Sequence, residues 1–428
     1  MDDRAEMDEV APMDGAPLVD DGGPPLAAQP GYRREALPDP EAIGEDVELI
    51  ARICAEIALD GPITFARFMD RALYEPGHGY YRRADAAPGR GGDFLTAPEA
   101  HPIFGAVIGR LMEQAWDAMG RPAPFTISEP GAGSGAMAVG LLGGLRDLGS
   151  PLLDAVRYRP IEVEAARLDE LRARLGAEGM AARLVDGPSP LAGETGAVIA
   201  NEVLDALPVH RLVGRPGRTD GFAELLVGID ESGAFVQVEA APTTPELARR
   251  LRDEGVELAE GQVTELCLAL DPWLAAATRH LARGVVVLVD YGAEPAALHD
   301  PVSRPTGTLR AFARHAVGGD PFRHLGRQDL TATVDLASVR TAAARAGLQP
   351  VGETSQAELV ATLGTGDLTQ AFMRRQGASL QDALDLRSAL ARLLDPRGMG
   401  GFRVLVFGRG LPSGTRLDGL TRLRPPTG

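Results

Sequence analysis

The sequence predicts an α/β fold in which helices cover both faces of a parallel sheet. Short apolar runs alternate with stretches of helical periodicity from Phe104 to Asp290. A glycine-rich turn over residues 131–135 stands where one of these runs passes into a helix. Apolar residues make up 44% and charged residues 24% of the 428 residues, which is typical of a globular protein with a sizeable core.

The predicted elements follow one another at the spacing of strand–helix units. In chain order they are helix Phe104–Met119, strand Phe125–Glu129, helix Met137–Leu148, strand Tyr158–Val163, helix Ala165–Leu175, strands Ala182–Val185 and Ala197–Asn201, helix Trp273–Leu281 and strand Val285–Asp290. Three alternating runs with turn signals between them predict an inserted β-meander: His210–Val213, Phe222–Ile229 and Phe235–Glu239.

The C-terminal part is predicted to close one edge of the sheet. Its predicted elements are helix Val334–Ala346, strand Gln356–Thr362, helices Leu368–Arg375 and Leu380–Leu394, and strand Phe402–Phe407. Because these two strands lack the earlier strand–helix spacing, we expect them to form an antiparallel pair.

We expect four segments along the chain. They are an acidic tail over 1–45, a helical and loop segment over 46–103 that covers the ligand site, a core over 104–408, and a C-terminal tail over 409–428. The core is expected to carry the β insertion at about 209–245 and a second, substrate-side insertion at about 300–333.

The net charge of −17 is concentrated at the N-terminus, where the first 46 residues hold 13 acidic residues and three arginines. Residues 1–40 are rich in Pro, Gly and Asp and lack a periodic apolar pattern, so they are predicted to be disordered. The rest of the chain is only mildly acidic. Since binding of phosphates requires a basic face, this composition disfavours nucleic acid as a partner.

The cysteines and histidines of the sequence limit which disulfide and metal sites the protein can have. Cys54 and Cys267 are the only cysteines, which disfavours a disulfide framework or a thiolate zinc site and fits a reducing compartment. The seven histidines show no metal-binding spacing, so no metal is expected. The apolar run Val285–Val289 is far too short to span a bilayer. The N-terminus has neither an apolar signal core nor an Arg-rich transit sequence, so we expect a cytoplasmic, bacterial protein.

The strongest chemical motif is Glu129-Pro130-Gly131-Ala132-Gly133-Ser134-Gly135. Glycines allow a tight turn and let a ligand lie against bare backbone, while the following helix offers free N–H donors. Gly131, Gly133 and Ala136 also fit the dinucleotide pattern GxGxx(G/A). Two features favour S-adenosylmethionine over NAD: the acid directly before the turn, and the next strand-terminal acid, Glu162, which follows Gly131 by 31 residues rather than about 20. A tight turn without a ligand is the third interpretation.

These residues define the predicted cofactor site. Glu129 is expected to help place the methionine end of the cofactor against Gly131, Gly133 and Gly135. The Glu162 carboxylate is expected to accept hydrogen bonds from both ribose hydroxyls, a role common to both cofactor classes.

A second group of polar residues follows the predicted strand Ala197–Asn201. Asn201 and Glu202 stand at the carboxyl edge of the sheet, where doubly wound folds bind ligands. Asp205 lies three residues further, so on a helical turn it would face the same way as Glu202. In the functional interpretation these residues hold a cationic acceptor beside the methyl group. In the alternative interpretation, Asn201 caps the turn and both acids are solvated.

These motifs together resemble the MidA-like family, which includes the mitochondrial complex I assembly methyltransferase. The matching stretches run in unbroken order over about residues 48–408. They are Gly61-Pro62-Ile63, Gly79-Tyr80-Tyr81, Gly92-Asp93-Phe94 with Thr96, Pro98 and Glu99, Phe104-Gly105, Glu129 with the glycine turn, Asn201-Glu202 with Asp205, Leu207 and Pro208, Val289-Asp290-Tyr291-Gly292, Thr308-Leu309 with His315, Asp329-Leu330-Thr331 with Val334-Asp335, and Met399-Gly400.

The resemblance implies a Rossmann-type class I methyltransferase core with S-adenosylmethionine as donor. It also implies symmetric dimethylation of a protein arginine, in mitochondria on a subunit of respiratory complex I. Asn201, Glu202 and Asp205 would then be the catalytic residues. Tyr80, Asp93, Thr96 and Asp186 would join the cofactor-binding set.

Some residues depart from the family pattern. Ala132 stands where the family usually has Pro, and Leu336 where it usually has Phe. Ala100-His101 and Ala106 differ on the expected substrate side, which leaves the acceptor open. The alternatives are a methyltransferase with another acceptor, an assembly factor that binds S-adenosylmethionine without transferring the methyl group, and a dinucleotide-dependent oxidoreductase. A guanidinium acceptor fits the acids well, because it is planar, stays protonated and binds carboxylates bidentately.

Overall fold

The computed structural model describes residues 43–83, 95–185, 193–313, 316–318, 320–375 and 378–421. Residues 1–42 of the predicted acidic tail, which include the predicted disordered residues 1–40, lie outside these ranges. The helices are α1 Val47–Asp60, α2 Phe65–Tyr74, α3 Ala97–Ala100, α4 Ile103–Ala118, α5 Ala136–Asp147, α6 Leu152–Ala155, α7 Ala165–Ala177, α8 Pro245–Asp253, α9 Leu270–Thr278, α10 Pro295–Leu298, α11 Leu336–Arg345, α12 Gln356–Leu363, α13 Asp367–Arg374 and α14 Leu380–Leu394. Within the described ranges, none of the helices has the length and apolar character needed to cross a membrane.

The strands form two main sheets and two small ones. They are β1 Ile63–Thr64, β2 Phe125–Pro130, β3 Val156–Ile161, β4 Glu194–Asn201, β5 His210–Gly214, β6 Phe222–Ile229, β7 Phe235–Ala240, β8 Val263–Leu266, β9 Leu281–Asp290, β10 Gly292–Ala293, β11 Arg310–Ala313, β12 Ala316–Gly318, β13 Asp329–Thr331, β14 Val334–Asp335, β15 Gln349–Ser355 and β16 Arg403–Arg409.

The central sheet has six strands in the order β15-β16-β9-β4-β2-β3. β3, β2, β4 and β9 run parallel, which confirms the predicted parallel sheet. β16 is antiparallel to both of its neighbours, β9 and β15, so an antiparallel pair closes this edge as predicted, although β15 is not the strand that the sequence predicted for it. β2 has β3 on one side and β4 on the other, so the strand order reverses here. The carboxyl ends of β2 and β4 therefore border the crevice in which doubly wound folds bind ligands.

Side chains of the central strands alternate between the two faces of the sheet. Val285, Val287 and Val289 of β9 pack in one buried cluster with residues of α4, α5, α12 and α14. Val286 and Leu288 pack in another with residues of α9 and α11. A strand that is covered on both faces must be apolar throughout, which explains the continuous run of apolar residues in β9.

Two of the predicted strands are wrong. Gln356–Thr362 lies in helix α12, and the edge strand is β15, directly before it. Ser355 starts this helix with a capping box: its hydroxyl accepts from the Glu358 N–H, and the Glu358 carboxylate accepts from the Ser355 N–H. The second segment, Ala182–Val185, overlaps a 3₁₀ turn over Ala181–Arg183. It makes a single β-bridge, from Leu184 to Tyr158.

The second main sheet is antiparallel and contains the predicted meander. β6 pairs with β5 and β7, as predicted, and two further strands join: β8 pairs with β5, and β1 pairs with β6. Ile63 of β1 lies opposite Val227 of β6, and both are buried in one cluster with Leu49, Ile53 and Phe68 of the N-terminal helices. The N-terminal helices are thereby packed onto the insertion.

α4 and α5 approach each other closely through glycines. A Cβ atom on Gly140 would lie 2.6 Å from the Pro102 carbonyl oxygen and 3.0 Å from the Gly105 Cα. A Cβ atom on Gly105 would lie 2.8 Å from the Gly140 Cα. Because these contacts involve backbone atoms, neither can be relieved without moving a helix. The packing also sets the position of α5, whose first turn follows the glycine-rich turn.

We predict that Gly140→Ala destabilises the protein by about 1–3 kcal/mol, because the added methyl group overpacks the α4–α5 contact. Gly176→Ala in α7 is the matched control, since a Cβ atom there meets nothing within 4 Å. The control should be neutral or stabilising by up to about 1 kcal/mol. Urea unfolding followed by circular dichroism measures both, and equal effects of the two substitutions would contradict the close packing.

Candidate active site

A cavity of about 420 Å³ opens at the carboxyl edge of the central sheet. The ends of β2, β3 and β4 contribute to its lining, and α2, α3 and the segment around Tyr81 form another wall. The structure brings seven of the predicted site residues together in this lining: Thr96, Glu129, Gly131, Gly133, Glu162, Asn201 and Glu202. The volume is in the range of about 300–1,000 Å³ that is usual for cofactor sites.

The other predicted residues lie elsewhere. Gly135 packs beneath the turn against Leu171, and Asp205 lies behind the lining. Tyr80 is 2% exposed and packs in the cluster of the N-terminal helices. Asp93 and Asp186 lie outside the described residues.

The turn after β2 requires glycine at particular positions. Gly131, Gly133 and Gly135 have φ angles of 69°, 53° and 82°, in the left-handed region that favours glycine. A Cβ atom on Gly131 would lie 2.8 Å from Val203 Cγ2, and one on Gly135 would lie 2.6 Å from Leu171 Cγ. α5 begins directly after Gly135 without a side-chain cap, so its first N–H groups are available to a ligand.

Two glutamates flank this turn. Glu129 is buried at the end of β2, and its Oε2 accepts a hydrogen bond of 2.7 Å from the Tyr158 hydroxyl. Burial raises the pKa of Glu129 to about 8. Glu162 accepts from the Gly133 N–H at 2.6 Å and from the Val163 N–H at 3.1 Å. The carboxylate predicted to bind ribose therefore also holds the glycine turn in place.

Glu202 occupies a strained position directly after β4. Its φ angle is 53°, which is uncommon for a residue with a side chain, and its N–H donates to the Val289 carbonyl at 2.8 Å. Its Oε1 accepts from Asn201 Nδ2 at 2.9 Å and from the Ala97 N–H at 3.2 Å. Burial, and then the charge of Asp205, raise the pKa of Glu202 to about 7.

The helical turn expected from Glu202 to Asp205 does not form, and this expectation is corrected. The positive φ of Glu202 is incompatible with a right-handed helix, and residues 202–207 form bends, turns and irregular backbone. Asp290 at the end of β9 stabilises this segment: its Oδ2 accepts from the N–H groups of Leu204 and Asp205 at 2.9 and 3.3 Å. Glu202 and Asp205 therefore do not share one face.

Asp290 was not among the residues predicted for the site, although it ends a buried strand next to β4. Burial, and then the charges of Asp205 and Glu202, raise its pKa well above the usual range. Burial likewise raises the pKa of Asp205 to about 6. Within the described ranges, none of these three acids forms an ion pair with an arginine or histidine.

Aromatic side chains form the wall opposite the glycine turn. Tyr74 and Tyr81 line the cavity with their rings stacked, the centroids 5.6 Å apart, and Trp273 lines it as well. The Tyr74 hydroxyl donates to the Ala206 carbonyl at 3.0 Å, and the Tyr81 hydroxyl donates to Asp329 at 2.9 Å. Sequence reasoning selected Tyr80 instead of Tyr81. Both lie in a 3₁₀ turn, where neighbouring side chains point in different directions, and the motif alone does not distinguish them.

Comparisons with known proteins agree with this geometry. A model of a family described as S-adenosyl-L-methionine-dependent methyltransferase matches residues 107–354. The mitochondrial protein arginine methyltransferase NDUFAF7 homolog of Drosophila melanogaster is 29% identical over 385 residues, covering 82% of each chain. The mitochondrial protein arginine methyltransferase NDUFAF7 of Rattus norvegicus is 29% identical over 378 residues, again covering 82% of each chain.

Two solved structures from Burkholderia thailandensis are also similar. One, described as a methyl transferase and bound to S-adenosyl-homocysteine, is 35% identical with a TM-score of 0.77, covering 90% of this chain and 97% of that one. The other, a native crystal structure, is 34% identical with a TM-score of 0.75, covering 90% of this chain and 98% of that one. The chain belongs to the MidA-like family of class I methyltransferases, with S-adenosylmethionine as the methyl donor.

Proposed function

We propose that the chain methylates an arginine side chain of a protein and produces symmetric dimethylarginine. The observation that carries this proposal is Glu202, a partly buried carboxyl group that lines the cofactor cavity. Within the described ranges its carboxylate accepts hydrogen bonds only from Asn201 and from the Ala97 N–H. The names of the relatives, protein arginine methyltransferases, support the same acceptor. The family resemblance suggests a bacterial complex I subunit as the substrate protein.

The residues around the glycine turn suit S-adenosylmethionine. Gly131 and Gly133 present bare backbone to the cavity, and the start of α5 offers N–H donors for a carboxylate. We assign Glu129 to the ammonium of the methionine end and Glu162 to the ribose hydroxyls. When bound, S-adenosylmethionine supplies an electrophilic methyl group on a sulfonium.

The acceptor side requires a group that fixes a guanidinium nitrogen in line with that methyl group. A guanidinium is planar, so the Glu202 carboxylate can bind two of its N–H groups and determine which nitrogen points to the donor. Tyr74 and Tyr81 add stacked aromatic rings to the cavity wall, and the Arg167 guanidinium already lies 5.9 Å from the centroid of the Tyr81 ring. The two rings also separate the reacting groups from water. Asp290 acts indirectly, by holding the segment from Leu204 to Asp205.

Methyl transfer to a guanidinium must release one proton. The methylated product carries the same single positive charge as the substrate, while the donor loses its sulfonium charge. Glu202, whose pKa is about 7 before a cation binds, is the carboxyl group placed to receive that proton. The ionised form of Glu202 is also the form that binds the guanidinium. Because burial favours the protonated form, Glu202 must lose its proton when the substrate binds.

We predict that Gly133→Val abolishes binding of S-adenosyl-homocysteine, because the side chain would occupy the space of the cofactor. Gly149→Val is the matched control: Gly149 also has a positive φ angle, of 64°, but a Cβ atom there meets nothing within 4 Å. Both substitutions should lower stability by a similar amount, and only the first should affect titration calorimetry with S-adenosyl-homocysteine. Binding of NAD with equal affinity would contradict the cofactor assignment.

We predict that Glu202→Gln spares cofactor affinity and reduces methyl transfer to an arginine peptide by about ten- to a hundredfold or more, as expected for loss of about 1.5–3 kcal/mol from a charged hydrogen bond. In wild-type protein kcat/KM should rise with pH through about 7, since the ionised form of Glu202 is required. This rise should disappear in the variant.

Glu162→Gln is the complementary variant and should weaken binding of S-adenosyl-homocysteine first. If Glu202→Gln lost the cofactor but transferred methyl normally at saturation, the two roles would be reversed. If Glu202→Gln changed neither quantity, Glu202 would have no role in the transfer. If neither wild type nor variant transferred methyl to arginine, the chain would be a cofactor-binding protein without arginine transferase activity.

A further inference from the structure

A second group of chemically active side chains lies outside the cavity, where three distant segments meet. Glu254 follows α8, His299 follows α10, and Asp335 precedes α11. One nitrogen or oxygen atom from each residue lies within 4.8 Å of those of the other two. His299 is 5% exposed, and the side chain of Glu254 is 7% exposed. The cluster therefore brings together one buried imidazole and two partly buried carboxyl groups.

Two atoms in this cluster have no hydrogen-bond partner among the residues that the structure describes. They are Nε2 of His299 and Oε2 of Glu254, which lie 3.8 Å apart. Buried polar atoms are nearly always paired in folded proteins, so two facing unpaired atoms indicate a ligand between them.

The other side of the imidazole is fixed. Nδ1 of His299 lies 2.7 Å from the hydroxyl oxygen of Thr264, which is itself buried. If Nδ1 carries the proton and donates it to this oxygen, Nε2 is left with a free lone pair directed at the carboxyl groups. A hydrogen bond to the far nitrogen is the usual support of a metal-binding histidine.

The charges around the cluster are incompletely balanced. The Ser338 hydroxyl lies 2.7 Å from Glu254 Oε1 and 2.8 Å from Asp335 Oδ2, but its single hydrogen can satisfy only one of them. Arg250 approaches Glu254 Oε1 at 3.8 Å and leaves Oε2 facing His299. Arg250 is thus one positive charge beside the carboxyl groups of Glu254 and Asp335. A bound cation would offset the remaining negative charge.

We propose that Glu254, His299 and Asp335 bind one divalent metal ion of the zinc type. One imidazole nitrogen and two carboxylate oxygens form a donor set that zinc accepts, and a water molecule would complete the usual four ligands. Magnesium and calcium prefer six or more oxygen ligands, which this buried cluster does not offer. The ligands are 45 and 36 residues apart, so they form no short sequence motif, and the expectation of a protein without metal rested on such motifs.

The position of the cluster gives the metal a structural role. Asp335 belongs to β14, which pairs with β10 through Val334 opposite Gly292, and β10 follows Asp290 by two residues. Glu254 belongs to the part of the chain that follows the inserted meander. The ion would tie these segments together behind the acids of the cavity. This inference is independent of the proposed arginine acceptor.

The test is zinc titration of the tag-free full-length protein after dialysis against EDTA, by calorimetry and by thermal unfolding. Wild-type protein should bind one zinc ion per chain, and its melting temperature should rise with zinc concentration. Glu254→Gln and His299→Gln should each weaken zinc binding by at least about tenfold. Magnesium should produce neither effect.

His280→Gln is the matched control. His280 is equally buried, and its Nε2 is also 3.8 Å from a glutamate, but that glutamate is paired with Arg159 and the Ser128 hydroxyl lies 3.2 Å from the same nitrogen. It should leave zinc affinity unchanged. If His299→Gln fails to fold, the isosteric Glu254→Gln decides alone. The proposal is overturned if zinc does not bind at one ion per chain or if Glu254→Gln binds zinc with wild-type affinity. It is also overturned if magnesium binds with the same affinity as zinc.

Discussion

Burial of carboxyl groups at the crevice of the sheet is the constraint on which the active site depends. Glu129, Glu202 and Asp290 are at or beside the ends of three neighbouring parallel strands, where Glu129 and Asp290 are buried and Glu202 is partly buried. Burying an unpaired charge is unfavourable, so burial raises the pKa of all three groups. The fold tolerates them through hydrogen bonds from backbone amides, from Asn201 and from Tyr158. A cavity built in this way favours cationic ligands, because a cation stabilises the ionised carboxylates. The methyl donor carries two positive charges at its methionine end, and the proposed acceptor carries one.

The same constraint explains why the N-terminal helices are part of the site. The Ala97 N–H is one of the two donors that hold Glu202, and the Tyr74 hydroxyl holds the Ala206 carbonyl in the segment after it. Helices α1 and α2 are attached to the insertion by β1 and by a shared apolar cluster, whereas Ala97 of α3 packs in the cluster of α4 and α5. The cavity therefore has a floor from the methyltransferase core and a wall from a separate packing unit. Tyr74 and Tyr81 of that wall line the same cavity as Glu129 and Glu202.

Much of this arrangement could be predicted from the sequence. The run Val285–Val289 and the glycine turn each imply their structure locally, since a doubly covered strand must be apolar and a left-handed turn favours glycine. Local patterns failed where another interaction decided the outcome. The capping box of Ser355 and Glu358 makes a helix of residues that resemble a strand. The positive φ of Glu202 separates it from Asp205, although their spacing suits one helical face. Asp290, Tyr81 and the cluster of Glu254, His299 and Asp335 depend on long-range packing that spacing in the sequence does not encode.

The most direct measurement of the central claim is mass spectrometry of arginine methylation in cells. Proteomes would be compared from cells with the wild-type gene, without the gene, and with the gene encoding Glu202→Gln. The account predicts symmetric dimethylarginine on at least one protein that is lost without the gene, returns with the wild-type gene and does not return with the variant. Identical arginine methylation in the cells with and without the gene would contradict the account. Restoration of the modification by Glu202→Gln would contradict the role of that carboxylate in holding the guanidinium.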